Sequence, residues 1–292
     1  MTQEPPQQDD RAVLVRFGWT PQLKAAFTAL PEPGFAAARV AGAQRELYTL
    51  WAETDVLNGV LSGKLRRDAA HGELPVVGDW VAVRQEPGKS AIIHELLPRH
   101  TTLARQRAGR SQERQVLAAN CDTVFVVSSL NLDWNPRRLE RALAMVQASG
   151  AQPVLILTKL DLCPDPSAQL AAAAEIAPGV AVHTLSTHAS SGLDALTPYL
   201  VPGQTIALIG TSGVGKSTLV NCLLGEERAQ TGEIRAQDDR GRHTTTRREL
   251  YALPSGALVI DTPGMREFGL LDEEPSERPT HWRQTRRRSP RR

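Results

Sequence analysis

Cysteine is scarce in this chain of 292 residues. Cys121, Cys163 and Cys222 are the only three, and they lie far apart. That excludes a disulfide scaffold and any zinc site evident from ligand spacing. No apolar run approaches the roughly 18 residues that a bilayer span needs. The first ten residues, MTQEPPQQDD, are polar and acidic, unlike a secretory or transit leader. A cytoplasmic, reducing location is expected. Acids are missing from one place: between Arg278 and Arg292 there are seven arginines and no Asp or Glu. The whole chain carries 34 Lys+Arg against 32 Asp+Glu, net +2, so without that tail the balance turns negative. A tail of this kind either binds nucleic acid or stays solvated, and composition does not choose. What is present is ordinary: 41% hydrophobic residues and 22 glycines exclude disorder throughout. The length exceeds what one compact core usually holds, so two domains are expected.

Residues 1–11 read as a disordered arm. Thr20-Pro21 offers a helix N-cap followed by proline in the first turn, and Leu23, Ala26, Phe27 and Leu30 then recur at helical spacing. Short strands are expected around 37–40, 46–52, 55–61, 79–84 and 90–97, punctuated by glycines. Five short strands within residues 12–98 suggest an OB-fold β-barrel. The run RHTTLARQRAGRSQER is basic and non-periodic, and residues 99–119 read as a linker, either a solvated connector or one that touches RNA phosphates. From 120 to 270 strands and helices alternate. Strands are expected at 122–130, 153–157, 180–186 and 205–210. A helix follows Asn135-Pro136, with Leu139, Ala142, Leu143 and Val146 on one face, and an Ala-rich helix covers about 167–176. Alternation of this kind builds a mostly parallel sheet covered on both faces, an α/β domain.

The strongest motif is GTSGVGKS, residues 210–217, between the strand QTIALI and a helix beginning STLVNCLL. In a P-loop, glycines turn successive backbone N–H groups inward around phosphates, and the helix N-terminus adds partial positive charge. Gly210, Thr211, Ser212, Gly213, Val214, Gly215, Lys216, Ser217 and Thr218 are therefore nucleotide-binding candidates. Lys216 would reach the β- and γ-phosphates, and the Ser217 hydroxyl would ligate Mg²⁺. TKLD, residues 158–161, ends the strand VLIL. The carboxylate of Asp161 can accept two hydrogen bonds from guanine, whereas adenine offers no such donor pair. The stem of Lys159 can cover the base, and Thr158 stands where most GTPases have Asn. Ser186 and Thr187, in the STH that follows VAVHTL, can present an amide to the guanine O6. DTPG, residues 261–264, follows the strand ALVI: Asp261 would reach Mg²⁺ through water, and the Gly264 amide would sense the γ-phosphate. GRHTTT, residues 241–246, lies between P-loop and DTPG and suits a switch that closes over the metal and phosphate.

The order of these motifs is informative. Base-reading TKLD and STH precede the P-loop and DTPG comes last, so the G domain is circularly permuted. With a β-barrel in front, the chain resembles the RsgA (YjeQ) family of ribosome small-subunit-dependent GTPases. VVGDWVAV, LLPRHTTLARQRAG, QVLAANCDTVFVV, GTSGVGKSTLVN, GRHTTT and DTPGMREFGL carry the resemblance over roughly 59–270. It implies an OB-fold domain and a permuted P-loop GTPase that bind the small ribosomal subunit and its rRNA during late maturation. GTP and GDP with Mg²⁺ are the implied cofactors, and a monomer without membrane contact is expected. It further implies Mg²⁺ ligation by Ser217, Thr245 and Asp261. Catalysis would rest on Lys216 and on His243, because the apolar Met265 occupies the position of the usual water-orienting glutamine. Family members continue into a zinc domain with three cysteines and a histidine, yet no cysteine follows Cys222, so no zinc ligands are expected in this chain. Residues 271–292 read as a disordered Arg-rich tail, either a frame-shifted remnant or an RNA-gripping arm. The alternative to the enzyme is a truncated nucleotide- and RNA-binding module without subunit-stimulated turnover. Asp161 disfavours an ATPase.

Overall fold

The computed structural model describes residues 12–44, 46–68, 74–85, 88–106, 114–131, 134–225 and 248–261. Two helices, α1 (Ala12–Val15) and α2 (Pro21–Thr28), lead into the barrel. The Thr20 hydroxyl accepts the Leu23 amide at 3.3 Å, so the cap expected from Thr20-Pro21 forms. Caps of this type stabilise a helix by about 1 kcal/mol. Strands β1 (Ala36–Gln44), β2 (Leu47–Trp51), β3 (Val56–Leu61), β4 (Trp80–Arg84) and β5 (Ala91–Leu96) close in the order β1-β2-β3-β5-β4-β1. Only β3–β5 is parallel, and α3 (Gly63–Asp68) spans the gap between β3 and β4. This closed five-stranded barrel is the expected OB-fold. Alternation along β4 sends Val81 and Val83 into the barrel beside Leu50 and Ile93. Trp80 and Ala82 point outward, where Trp19, Leu23 and Phe27 cover them.

Residues 99–119, expected as a linker, are better described as structure. They contain β6 (Thr102–Gln106) and β7 (Arg114–Ala119), paired antiparallel. Leu103, Leu117 and Ala118 are buried in the core of the following domain, which the basic character of neighbouring positions hides in the sequence. Residues 107–113 lie outside the described residues, as do the arm 1–11 and the tail 271–292.

The α/β part of the sheet contains β8 (Thr123–Ser129), β9 (Gln152–Thr158), β10 (Ala181–Thr184), β11 (Thr205–Ile209), β12 (Arg248–Ala252) and β13 (Leu258–Asp261). Its order is β10-β9-β8-β11-β13-β12, parallel except for β12. The strand that leads into the P-loop, β11, is central in space although fourth in chain order, as the permuted motif order requires. The inner strands β8, β9, β11 and β13 are buried on both faces. Phe125, Val127, Ile206 and Leu208 face one core with α6 (Lys216–Leu224). Val124, Val126, Ala207 and Ile209 face the other, which receives α4 (Pro136–Ser149) and α5 (Ser167–Ile176). Asn135 caps α4 by accepting the Arg138 amide at 3.0 Å. Among the described residues, no helix is long and apolar enough to cross a membrane.

Barrel and α/β domain share one continuous sheet. β1 pairs with β4 over Ala36–Arg39, then with β12 at Gly42↔Glu249 and Ala43↔Arg248. Arg39 stands where β1 changes partner, and it is 1% exposed. Its guanidinium donates to the carbonyls of Gly78 (3.3 Å), Asn120 (3.1 Å) and Phe17, and to the Thr205 hydroxyl (2.8 Å). One barrel side chain thereby holds the N-terminal helices and the chain leading into β8 and β11.

Candidate functional site

The P-loop conformation follows from its glycines. Gly210 has φ +151°, and a Cβ there would stand 2.2 Å from the Val127 carbonyl oxygen. Gly215 caps α6 with φ +98°, a left-handed geometry that other residues adopt only at a cost. Val214, buried in the core, pins the loop, while Ser212 and Gly213 are exposed. Lys216 opens α6, and its ammonium donates to the carbonyls of Gly210 (2.7 Å) and Thr211, placing the charge at the centre of the loop. Ser217 follows, half-buried, and Thr218 is exposed.

TKLD meets this loop directly. Thr158, 1% exposed at the end of β9, donates through its hydroxyl to the Val214 carbonyl at 2.6 Å and lies 3.2 Å from the Ser128 carbonyl. Its hydroxyl therefore faces the P-loop backbone and the β8 strand, a role that the motif alone does not reveal. Position 158 sits beneath Gly215, and this packing is the signal that spacing could not supply. Lys159 adopts φ +60°, reversing the chain so that Asp161 emerges into solvent.

The STH loop closes on Asp161. Leu185 donates its amide to the Leu157 carbonyl (2.9 Å) and accepts from the Leu160 amide (3.2 Å), which zips the two loops together. Ser186, 1% exposed, donates its hydroxyl to the Asp161 carboxylate and accepts the Ala189 amide at 3.0 Å. The Ser186 hydroxyl holds the Asp161 carboxyl below the ordinary carboxylate range. Thr187 is half-buried, and its carbonyl is 3.8 Å from the Cys222 sulfur on α6.

Asp261 ends β13, next to β11, and pairs in register with Glu249 of β12. Ser217 and Asp261 thus supply hard oxygen donors at the same end of adjacent elements. Magnesium typically takes only one or two protein oxygens alongside substrate phosphates, so this donor set fits it. Among the described residues, no cluster of three or more His, Cys, Asp or Glu could hold a metal by itself. His243, Thr245, Gly264 and Met265 lie outside the described residues. The structure therefore brings together the P-loop, TKLD, the STH loop and Asp261 at the C-terminal end of one parallel sheet, where open α/β sheets bind ligands.

The family model of the RsgA GTPase matches residues 96–271. The small ribosomal subunit biogenesis GTPase RsgA 2 of Lactiplantibacillus plantarum is 45% identical over 259 residues, covering 88% of this chain and 73% of that protein. Its counterpart RsgA of Opitutus terrae is also 45% identical, over 267 residues, with the same coverage of 88% and 73%. Among solved structures, YloQ, described as a circularly permuted GTPase, superposes with a TM-score of 0.53 at 25% identity, covering 80% of this chain and 72% of its own. YjeQ from Thermotoga maritima shares the fold, with a TM-score of 0.58 at 23% identity, covering 78% and 74%.

Proposed function

The chain belongs to the RsgA GTPase family and is a GTP-hydrolysing enzyme, and from that premise we propose that it acts in late maturation of the small ribosomal subunit. In this reading it binds the subunit and its rRNA as a cytoplasmic monomer and cleaves GTP to GDP and phosphate. The observation that carries the nucleotide part is the physical joining of TKLD to the phosphate loop through Thr158 and Val214, and of TKLD to the STH loop through Asp161 and Ser186. The names of the curated relatives, small ribosomal subunit biogenesis GTPases, support the ribosomal part.

The residues divide the work as follows. Asp161 accepts from the guanine N1–H and exocyclic amine, Ser186 orients that carboxylate, Lys159 covers the base, and the Thr187 segment lies against its O6 edge. The amides of residues 210–218 surround the phosphates, and the Lys216 ammonium neutralises charge that grows on the β–γ bridging oxygen as its bond to the γ-phosphorus breaks. His243 orients the attacking water, and Gly264 senses the γ-phosphate. Ser217, Thr245 and Asp261 would hold Mg²⁺, which supplies further charge neutralisation at the phosphates. The test is co-sedimentation with purified small subunits. Subunit binding should be stronger with a non-hydrolysable GTP analogue than with GDP. Equal, weak binding in both states would contradict the proposal.

A further inference from the structure

The loop at the guanine edge, residues 186–192, is fastened at both ends. Ser186 and Ser191 bond each other, amide to carbonyl in both directions, at 3.0 Å. Gly192 follows with φ +80°, where a Cβ would stand 2.5 Å from the Thr184 carbonyl oxygen. Leu185, which leads into the loop, is buried in the same core as Leu219 and Val220 of α6. These contacts close the loop, but they do not fix which way the peptide groups between Thr187 and Ser190 face. His188, Ala189 and Ser190 are exposed.

α6 supplies that direction. Cys222 is half-buried on this helix, and its sulfur lies 3.8 Å from the Thr187 carbonyl oxygen, within reach of a weak S–H···O bond. Burial pushes the Cys222 thiol up, so the proton stays on sulfur at neutral pH and the group is a donor. In a trans peptide the C=O and N–H point in opposite directions. A Thr187 carbonyl turned toward α6 therefore sends the His188 N–H to the side of the loop away from the helix. The same segment borders the base reader: the Ser186 hydroxyl bonds the Asp161 carboxylate, and His188 is near enough to act on its charge.

We propose that Cys222 is a positioning residue for base recognition, and that its hold on the Thr187 carbonyl aims the His188 amide at the guanine O6. This rests on the reading of Asp161 and the STH loop as the guanine site. The two contacts divide the base between them. Asp161 reads N1–H and the 2-amino group, whereas the loop held by Cys222 reads position 6. Guanine and hypoxanthine carry an oxygen there, which accepts from an amide. Adenine carries an amino group, which does not. The helix that opens on the P-loop thus also sets the loop that meets the far edge of the base.

The experiment measures GDP, IDP and ADP affinity by calorimetry on the full chain with Mg²⁺, for the parent, Cys222→Val and Cys222→Ser. Valine removes the donor at similar volume, and serine keeps one. In Cys222→Val, GDP and IDP should both bind about three- to fivefold more weakly, the effect of losing one weak hydrogen bond. The ratio of GDP to IDP affinity, which Asp161 sets through the 2-amino group, should stay as in the parent. ADP should bind as it does to the parent, because it has no O6 to lose. Cys222→Ser should bind GDP within about twofold of the parent. Valine damage that weakened ADP as much as GDP would overturn the proposal, as would undiminished GDP affinity or a serine variant that behaved as valine does. A parent that bound GDP no better than ADP would instead overturn the guanine reading, and the role of Cys222 with it.

Discussion

Replacing Thr158 by valine tests how the base reader is attached to the phosphate loop. The change preserves shape and removes one hydroxyl, which bonds the Val214 carbonyl at 2.6 Å in a site 1% exposed to solvent. A buried carbonyl deprived of its donor costs about 1–3 kcal/mol. The bond joins two buried segments of the fold itself, so most of this loss should appear in the denaturant midpoint. The part that differs between empty and filled loop should appear in affinity, as GTP and GDP binding weakened by up to about tenfold. The ratio of GTP to ATP affinity should not change, because in the proposed site Asp161 rather than Thr158 reads the base. Thr158→Ser keeps the hydroxyl and loses only a methyl group against Gly215, so it should cost about 1 kcal/mol and restore most of the affinity. Equilibrium denaturation and nucleotide titration on the three proteins decide the matter. A valine variant as stable and as tight-binding as the parent would refute the tether, and one that lost guanine preference would assign Thr158 to base reading instead.

Other perturbations follow from the same geometry. Asp161→Asn should erode the preference for GTP over ATP, measured by competitive titration; since the Ser186 hydroxyl holds the Asp161 carboxyl down, the parent's preference should persist as pH falls to the ordinary carboxylate range and disappear only below it. Gly210→Ala brings a Cβ to 2.2 Å from the Val127 oxygen, so nucleotide binding should be lost in calorimetry while far-ultraviolet dichroism stays close to the parent. Arg39→Met leaves the Phe17 and Asn120 carbonyls and the Thr205 hydroxyl without the guanidinium donor, the Gly78 carbonyl keeping the Asn120 side-chain amide, and should lower unfolding free energy by about 3 kcal/mol; unchanged stability would show that the barrel and the α/β domain are held by the β1–β12 pairing alone.

Much of this architecture was legible in the sequence because local signals coincide with tertiary ones. Thr20-Pro21 and Asn135-Pro136 start helices where their caps form. The continuous apolar run at 124–127 reads as a strand buried on both faces, and it is one. The β6–β7 pair escaped because Arg105-Gln106 and Arg114-Gln115 stand at the ends of its strands, and this basic sequence hides the buried Leu103, Leu117 and Ala118. β12 escaped for another reason: RELYA is short, and its identity as a strand depends on β13 and β1 on either side. At the site, residue types and order were enough to expect a guanine nucleotide. The direction of the Thr158 hydroxyl was not legible, because it depends on how closely β9 approaches the P-loop. Nor was the hub at Arg39, which bonds a hydroxyl 166 positions further along the chain, at Thr205.

The most direct test of the central claim is GTP turnover by the purified chain with Mg²⁺, measured alone and with purified small ribosomal subunits, with Lys216→Ala as the control. The account predicts turnover of about 10⁻⁴–10⁻² s⁻¹ for the chain alone, the range of unassisted G domains. It predicts clear acceleration by subunits and no hydrolysis by the variant in either condition. Turnover that subunits leave unchanged, or that persists in Lys216→Ala, would contradict it.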